Sequence, residues 1–95
     1  MDNSAVKTGK YVVYILKSDK DGKLYTGHTV DLERRLSEHN SGKVRSTRNR
    51  RPLAVVYEEY YGNKSEAYAR ERYLKSPEGG PLKRELISKR NREVL

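Results

Sequence analysis

The chain has 95 residues, enough for one domain with one hydrophobic core, and 36% of them are charged whereas 34% are hydrophobic. Because cysteine is absent, a disulfide framework, a thiolate metal site and a thiol nucleophile are excluded. No apolar run reaches the roughly 18 residues that span a bilayer, and the first residues lack a signal-peptide core. We therefore expect a cytoplasmic protein with no membrane partner.

The chain is strongly basic, with 21 Lys and Arg against 13 Asp and Glu, a net charge of +8 and a pI near 9.8. Such a field attracts polyanions, of which nucleic acid is the commonest. An acidic membrane surface would instead favour a long helix with one basic face and one apolar face, and the sequence predicts none. Composition alone therefore points to nucleic acid as the partner.

Two strands joined by a turn are the first predicted elements. Lys10–Lys17 is rich in β-branched and aromatic residues, Asp19–Gly22 carries turn residues, and Lys23–His28 resumes extended character. Together they predict a hairpin. The polar, unpatterned residues 1–9 before it predict a disordered tail.

A helix and a basic loop are expected next. Thr29 is the predicted N-cap, Asp31 and Glu33 suit the first helical turn, and Asn40–Gly42 ends the helix. The following segment interleaves cations with polar residues, which predicts a phosphate-contacting loop; a merely solvated basic loop is the alternative. Its cations are Lys43, Arg45, Arg48, Arg50 and Arg51.

The rest of the chain predicts one more strand and two helices. Leu53–Tyr61 has strand composition, Ser65 caps a second helix that runs to about Lys75, and a third helix extends from Pro81 to about Asn91. The order ββαβαα predicts an α+β fold: a small, mainly antiparallel three-stranded sheet flanked by helices. We place the domain at residues 10–91, with a C-terminal tail over residues 92–95.

The hairpin carries two tyrosines on one face of its ribbon. A two-residue turn would pair Tyr14 with Thr29, whereas a four-residue turn would pair Tyr14 with Gly27 and Tyr25 with Leu16. In the second register a glycine opposite Tyr14 leaves room for another group to approach. Two phenols beside an open position could form a site, although core packing is the commoner explanation for such a pair.

The first predicted helix turns two polar residues towards the sheet. At about 100° per residue, Arg35 and His39 share the face of Leu32, whereas Arg34 points to water. A half-buried arginine needs an anion, either a carboxylate or a phosphate. The position of Arg35 is therefore poorly explained by solvation alone.

The second helix repeats this feature. Glu71 lies near the inner face that Ala67 and Leu74 mark, so its carboxylate turns inward or to the rim. A structural ion pair, Arg35–Glu71 or Arg70–Glu71, is one explanation. A metal ligand is the other.

These residues also form a specific pattern. Tyr14 follows Val12-Val13, the run Tyr25-Thr26-Gly27 follows eleven residues later, and Arg35 comes ten residues after Tyr25. This pattern resembles the GIY-YIG nuclease superfamily, and the run LYTGHTVDLERRLSEHNSGK is similar to its small stand-alone bacterial members, the URI-domain (UPF0213-like) proteins. The resemblance covers roughly Lys10 to Leu86.

The resemblance implies a role for each matching position. Tyr14 and Tyr25 match the two motif tyrosines, Arg35 the catalytic arginine, His39 a position that holds a catalytic His or Tyr in several members, and Glu71 the single metal-binding glutamate. Gly27 matches the motif glycine, and Val12 departs from the motif at a position of little chemical weight. Glu66 is a weaker substitute for Glu71.

The implied activity is a metal-dependent endonuclease that hydrolyses nucleic-acid phosphodiester bonds, DNA rather than RNA, in DNA repair or processing. Mg²⁺ or Mn²⁺ on Glu71 and Arg35 at the phosphate would stabilise the developing charge. Tyr14 would accept a proton from water if Lys23, Arg35 or His39 lowered its pKa. The expected nucleic-acid contacts are Lys23, Gly27, His28, Lys43, Arg45, Arg48, Arg50 and Arg51.

Two other classes of function compete with this one. A nucleic-acid-binding module with the nuclease fold and little catalysis would show the same charge and salt dependence. An RNA-associated scaffold would explain the basic loop, but it gives no reason for Arg35 and Glu71 to face inward. His28 could be structural or contact the substrate, and His28 with His39 is too small a set for zinc.

Overall fold

The computed structural model describes residues 9–94, and its strands and helices follow the predicted order ββαβαα. The predicted tail over residues 1–9 therefore lies, except for Gly9, outside the described residues. The elements are β1 (Tyr11–Ser18), β2 (Leu24–Thr29), α1 (Leu32–Asn40), a single 3-10 turn (Arg48–Arg50), β3 (Leu53–Tyr61), α2 (Lys64–Lys75) and α3 (Gly80–Val94).

The sheet has the order β2-β1-β3, and both strand pairs are antiparallel. Five consecutive residues of β1, Val12 to Leu16, are buried, since helices cover both faces of this central strand. β2 is an edge strand, which leaves one of its sides open to solvent and ligands. The predicted α+β fold with a small antiparallel sheet is confirmed.

The hairpin adopts the four-residue turn. Ser18 and Lys23 close it through a 3.0 Å hydrogen bond from the Ser18 amide to the Lys23 carbonyl, and Gly22 takes a positive φ of 73°. Tyr14 therefore pairs with Gly27, and Leu16 pairs with Tyr25. The alternative register, with Tyr14 opposite Thr29, does not occur.

Helices lie on both faces of the sheet. Val13 on one face packs with Ala67 and Leu74 of α2. On the other face, Tyr14 and Leu16 form a second cluster with partly buried leucines of α1. The edge at β2 is consequently within reach of side chains from α1 on one face and from α2 on the other.

Both predicted N-caps are wrong by two residues. The Asp31 carboxylate, not Thr29, accepts the 3.0 Å hydrogen bond from the Arg34 amide that caps α1, because Thr29 is still the last residue of β2. Asn63, not Ser65, caps α2 through a 2.8 Å bond from the Glu66 amide.

The third helix is longer at both ends than predicted. It begins at Gly80 rather than Pro81 and continues to Val94, since neither Gly nor Pro interrupts the chain after Asn91. No helix within residues 9–94 combines the length and apolar character that crossing a bilayer requires.

A buried carboxylate holds β3 against α2. Glu59 is 5% exposed and accepts hydrogen bonds from the hydroxyls of Tyr57 (2.5 Å) and Tyr61 (2.7 Å). Arg70 of α2 donates to the same carboxylate from Nε at 2.5 Å. Because every contact on Glu59 comes from a donor, the buried charge is compensated, and it fixes α2 relative to the sheet.

Candidate active site

The candidate site begins at Gly27, which lies opposite Tyr14 in the hairpin. A Cβ atom at Gly27 would lie 2.6 Å from the Tyr14 hydroxyl oxygen and 2.8 Å from Cζ, closer than nonbonded atoms approach. The phenol of Tyr14 therefore fills the space that any larger residue at position 27 would need. It extends across β2 towards the open edge of the sheet.

Three buried side chains form a hydrogen-bonded chain at this phenol. The Tyr14 hydroxyl lies 3.1 Å from Nε2 of His39, and Nδ1 of His39 lies 2.8 Å from the Thr47 hydroxyl. A neutral imidazole has one N–H and one bare nitrogen. With the N–H on Nδ1, His39 donates to Thr47 and its Nε2 accepts from Tyr14; the other tautomer reverses both hydrogen bonds.

Burial shifts both titratable members of this chain. Tyr14 is 1% exposed, and burial raises its pKa to about 12 even though the nearby Arg35 guanidinium opposes the shift. Burial, with the positive charge of Arg35, lowers the pKa of His39 to about 4. At neutral pH both the phenol and the imidazole are therefore uncharged.

This result corrects the expected source of a low Tyr14 pKa. His39 is neutral and supplies no positive charge, and Lys23 lies exposed before β2, away from the phenol. Arg35 is the one expected cation that acts on Tyr14, and its effect is smaller than that of burial. In the free protein Tyr14 is accordingly not a phenolate at neutral pH.

Arg35 lies half-buried on α1, as its predicted helical face requires, and Arg34 is exposed. Its Nη1 donates to Oε1 of Glu38 at 3.0 Å, one turn along the helix. Glu38 also accepts from Arg34 at 2.9 Å. The guanidinium groups of Arg34 and Arg35 thus share one carboxylate. Arg35 uses one of its five N–H donors for this contact, and others remain for a further anion.

Tyr25 lies between the two helices at the sheet edge. Its ring centroid is 4.9 Å from that of His39 and 6.4 Å from that of Tyr14. On its other side, the Lys75 ammonium from α2 lies 5.7 Å from the Tyr25 ring centroid. Tyr25 therefore joins the groups from α1 to those from α2.

Glu71 is held by two cationic or donor groups. Its Oε1 accepts from Nδ1 of His28 at 2.5 Å, and its Oε2 contacts Nζ of Lys75 at 2.7 Å. The expected ion pairs of Glu71 with Arg35 or Arg70 are wrong. Those two arginines bind carboxylates on their own sides of the sheet.

The carboxylate of Glu71 is ionised at neutral pH. Burial would raise its pKa, but hydrogen bonds from Lys75 and His28 outweigh burial, and the pKa lies below its ordinary value. Glu71 is connected to Tyr14 through two side chains: Lys75, which contacts Glu71 at 2.7 Å, lies 5.7 Å from the Tyr25 ring centroid, and Tyr25 lies 6.4 Å from Tyr14 between ring centroids.

The donor set suits a divalent cation that keeps most of its water. Within residues 9–94, no three His, Cys, Asp or Glu side chains converge as a metal cage. Mg²⁺ commonly binds through one or two carboxylates together with waters and substrate phosphate. A carboxylate offers about four lone-pair positions, and His28 and Lys75 leave room on Glu71 for such an ion.

The structure brings together most of the predicted site and separates the rest. Tyr14, Tyr25 and Gly27 from the hairpin meet Arg35, His39, His28 and Glu71 at the β2 edge. Lys23 lies at the far end of β2, beside α3.

Some arginines of the basic loop are hydrogen-bonded to the backbone of the loop itself. Nε of Arg48 donates to the Gly42 carbonyl and that of Arg51 to the Arg48 carbonyl, while Arg50 is tied to Asp21 at 3.4 Å. Lys43 and Arg45 are exposed. The loop also carries Thr47, which is fully buried beneath His39.

Sequence reasoning missed two residues of the site. Lys75 stands one helical turn after Glu71, and this spacing alone would have predicted the contact. Thr47 was predicted only as a polar residue between the cations of the phosphate-contacting loop, and nothing local to the sequence signals that its hydroxyl is buried against His39.

Comparison with known proteins identifies the family of this chain. Residues 10–83 match the family model of the GIY-YIG catalytic domain. The chain belongs to the GIY-YIG family. The resemblance seen in the motif residues is thereby confirmed.

The relatives of this chain are small bacterial proteins. It is 47% identical over 68 residues to a UPF0213 protein of Staphylococcus haemolyticus, covering 70% of this chain and 82% of the relative. It is 52% identical over 64 residues to one from Clostridium perfringens, covering 66% and 68%. The solution NMR structure of the UPF0213 protein from Bacillus halodurans matches with a TM-score of 0.50 at 38% identity, covering 82% of each chain.

Membership in this family has three general consequences. The domain is of the nuclease type, its substrate class is nucleic acid, and nucleases of the family generally depend on a divalent metal.

The buried imidazole predicts a pH-dependent stability. The folded chain protonates His39 only near pH 4, whereas the unfolded chain does so near pH 6.5, so the unfolded state binds more protons between these values. The free energy of unfolding should fall by about 3 kcal/mol from this group as the pH falls through that window. Urea unfolding from pH 7 to 4 measures it, and His39→Gln should lack this component. Equal pH slopes for the two proteins would contradict the neutral, buried His39.

Proposed function

We propose that this chain is a divalent-metal-dependent endonuclease that hydrolyses phosphodiester bonds, in DNA rather than RNA. The observation that carries the proposal is a continuous set of side-chain contacts at one open sheet edge, which runs from His39 on the helix of Arg35, through Tyr14 and Tyr25, to Lys75 and Glu71. A hydroxyl relay, a guanidinium with spare donors and an ionised carboxylate are the groups that phosphodiester hydrolysis requires. As part of the same proposal, the chain acts in DNA repair or processing in the cytoplasm.

Glu71 is the proposed ligand of Mg²⁺ or Mn²⁺. When bound there, the ion would neutralise phosphate charge and stabilise the leaving oxygen. His28 orients the carboxylate from the strand side, in the manner of the outer partners that position metal ligands. Lys75 balances the charge of Glu71 in the metal-free protein and lies beside Tyr25.

Arg35 is the proposed phosphate clamp. It lies beside Tyr14, and Glu38 holds its guanidinium from the helix side at 3.0 Å. A planar guanidinium has five N–H donors and suits two oxygens of one phosphate. Tyr25, between Arg35's helix and Lys75, is placed to orient the phosphate or the attacking water.

The attacking water is activated by proton transfer along the hydrogen-bonded chain of Tyr14 and His39, and no phenolate has to form beforehand. As the water attacks phosphorus, its proton passes to the Tyr14 oxygen while the Tyr14 proton passes to Nε2 of His39. Burial disfavours the imidazolium that forms, so it would be a transient species that the negative charge developing on the phosphate stabilises. It would return its proton through Tyr14 to solvent, and the leaving oxygen would take a proton from water. The relay uses the tautomer in which Nδ1 carries the proton and donates to Thr47, so that Nε2 is bare and can accept from Tyr14. A phenol with a pKa of about 12 can serve in this way because it does not have to ionise beforehand.

Replacing the proposed metal ligand tests the enzymatic function. Glu71→Gln should reduce cleavage about 10³-fold, the effect of losing several kcal/mol of charge stabilisation, with little change in nucleic-acid affinity. Labelled single-stranded, duplex and branched DNA, and RNA, are incubated with Mg²⁺, Mn²⁺ or EDTA. The matched control is Glu66→Gln. Glu66 lies five residues before Glu71 in the same helix and is exposed, so this variant should cut like wild type.

Tight binding without cutting by wild type would instead favour a nucleic-acid-binding module. One structural observation favours that alternative: both carboxylate oxygens of Glu71 already have partners, His28 and Lys75, in the absence of a metal ion.

The relay predicts a particular pH dependence of the rate. Because His39 is already neutral and Tyr14 remains protonated, kcat/KM should be nearly flat from pH 6 to 9 at fixed free metal. Tyr14→Phe should lower kcat by roughly 10²–10⁴-fold, the range for a proton-transfer group, and leave binding almost unchanged. A rate that rises tenfold per pH unit across this range would show that a phenolate must form first.

A further inference from the structure

A second basic feature lies outside the candidate active site. One face of α3 and the end of the hairpin enclose an open groove of about 630 Å³, here named the α3 groove. Its cations are Lys17 of β1, Lys23 before β2, and Lys83 and Arg84 of α3. No carboxylate is among its lining residues.

The four cations lack a counter-charge. None of them forms an ion pair with a carboxylate of residues 9–94; Asp21, which is near Lys23, is paired with Arg50. Lys83 is half-buried, and burial together with the positive charges of Lys75 and Arg84 lowers its pKa. Such crowding of like charges costs free energy that a bound anion would recover.

The groove leads into the active site. Lys83 donates to the Thr26 hydroxyl at 3.5 Å, and its charge acts together with that of Lys75, the partner of Glu71. From Lys23 to His28 the edge strand advances by five residues, or about 16 Å at roughly 3.3 Å each. That length corresponds to about five nucleotides of one strand of a duplex.

We propose that the α3 groove binds the sugar–phosphate backbone of the nucleic-acid strand on one side of the cut. The proposal rests on the proposed nuclease site only for the position of the cut. Lys83 lines the groove and contacts Thr26 of β2, two residues before His28, which binds Glu71, so one strand can contact both the groove and the site. The strand then lies along β2, with the reacting phosphate at Arg35 and the flanking phosphates over α3.

The lining favours a polymer over a small anion. Four cations spread along an open groove exceed what a single phosphate can contact. Between them, the partly buried side chains of Leu24 and Ile87 give an apolar floor, and Ser88 adds a hydroxyl. Sugars and base faces suit such a floor, as in other grooves for nucleic-acid strands.

Equilibrium binding in EDTA tests the groove without any cleavage. The triple variant K17A/K23A/R84A removes three exposed cations, and the full chain is titrated with labelled single-stranded and duplex DNA over a range of salt. Affinity should fall about 10²-fold at 0.1 M salt, and the slope of log K against log salt should decrease by about 2–3. K17R/K23R/R84K should restore binding.

The triple variant K10A/K64A/K89A is the matched control, because it removes the same charge from exposed positions outside the groove. We expect it to weaken binding less than about threefold. Equal losses in the two variants, or a groove variant that binds like wild type, would overturn the proposal. Wild type that binds through the groove but cuts nothing would refute the proposed nuclease function and leave the groove intact.

Discussion

The candidate site depends on one steric constraint, the missing side chain at Gly27. The Tyr14 phenol occupies the volume of a Cβ atom at that position, and it is thereby carried from the central strand to the sheet edge. His39 and Thr47 hold it there through two successive hydrogen bonds. Because all three side chains are almost completely buried, the hydroxyl has little freedom, and one small residue determines where the Tyr14 hydroxyl lies.

The edge position also explains why the two halves of the site can meet. Arg35 and His39 come from the helix on one face of the sheet, whereas Glu71 and Lys75 come from the helix on the other face. In the middle of a sheet these groups would be separated by the backbone layer. At β2 they face each other around an open edge, and the Glu59–Arg70 pair fixes the second helix against the strands.

The order of the strands and helices and the inward faces of the site residues could be predicted from the sequence, whereas the contacts between the site side chains could not. Periodicity placed Arg35, His39 and Glu71 on inward faces, and the turn residues allowed the register that pairs Tyr14 with Gly27. The partners of Glu71 were wrong because an ion pair depends on side-chain reach around the edge, which periodicity does not encode. The pKa of Tyr14 was expected to be lowered by a nearby cation, Lys23, Arg35 or His39. Burial raises it instead, and burial is a property of the packed core. The α3 groove was missed, apart from Lys23, because its cations come from distant segments.

The most direct test of this account is the cleavage rate and affinity of Gly27→Ala, with Gly62→Ala as the control. A Cβ at Gly62 meets nothing within 4 Å, whereas at Gly27 it must displace the Tyr14 hydroxyl from His39. We expect Gly27→Ala to lose at least about 10²-fold in kcat, as for the loss of a proton-transfer group, while nucleic-acid binding and Gly62→Ala stay close to wild type. Full activity in Gly27→Ala would contradict the claim that this gap positions the reactive phenol.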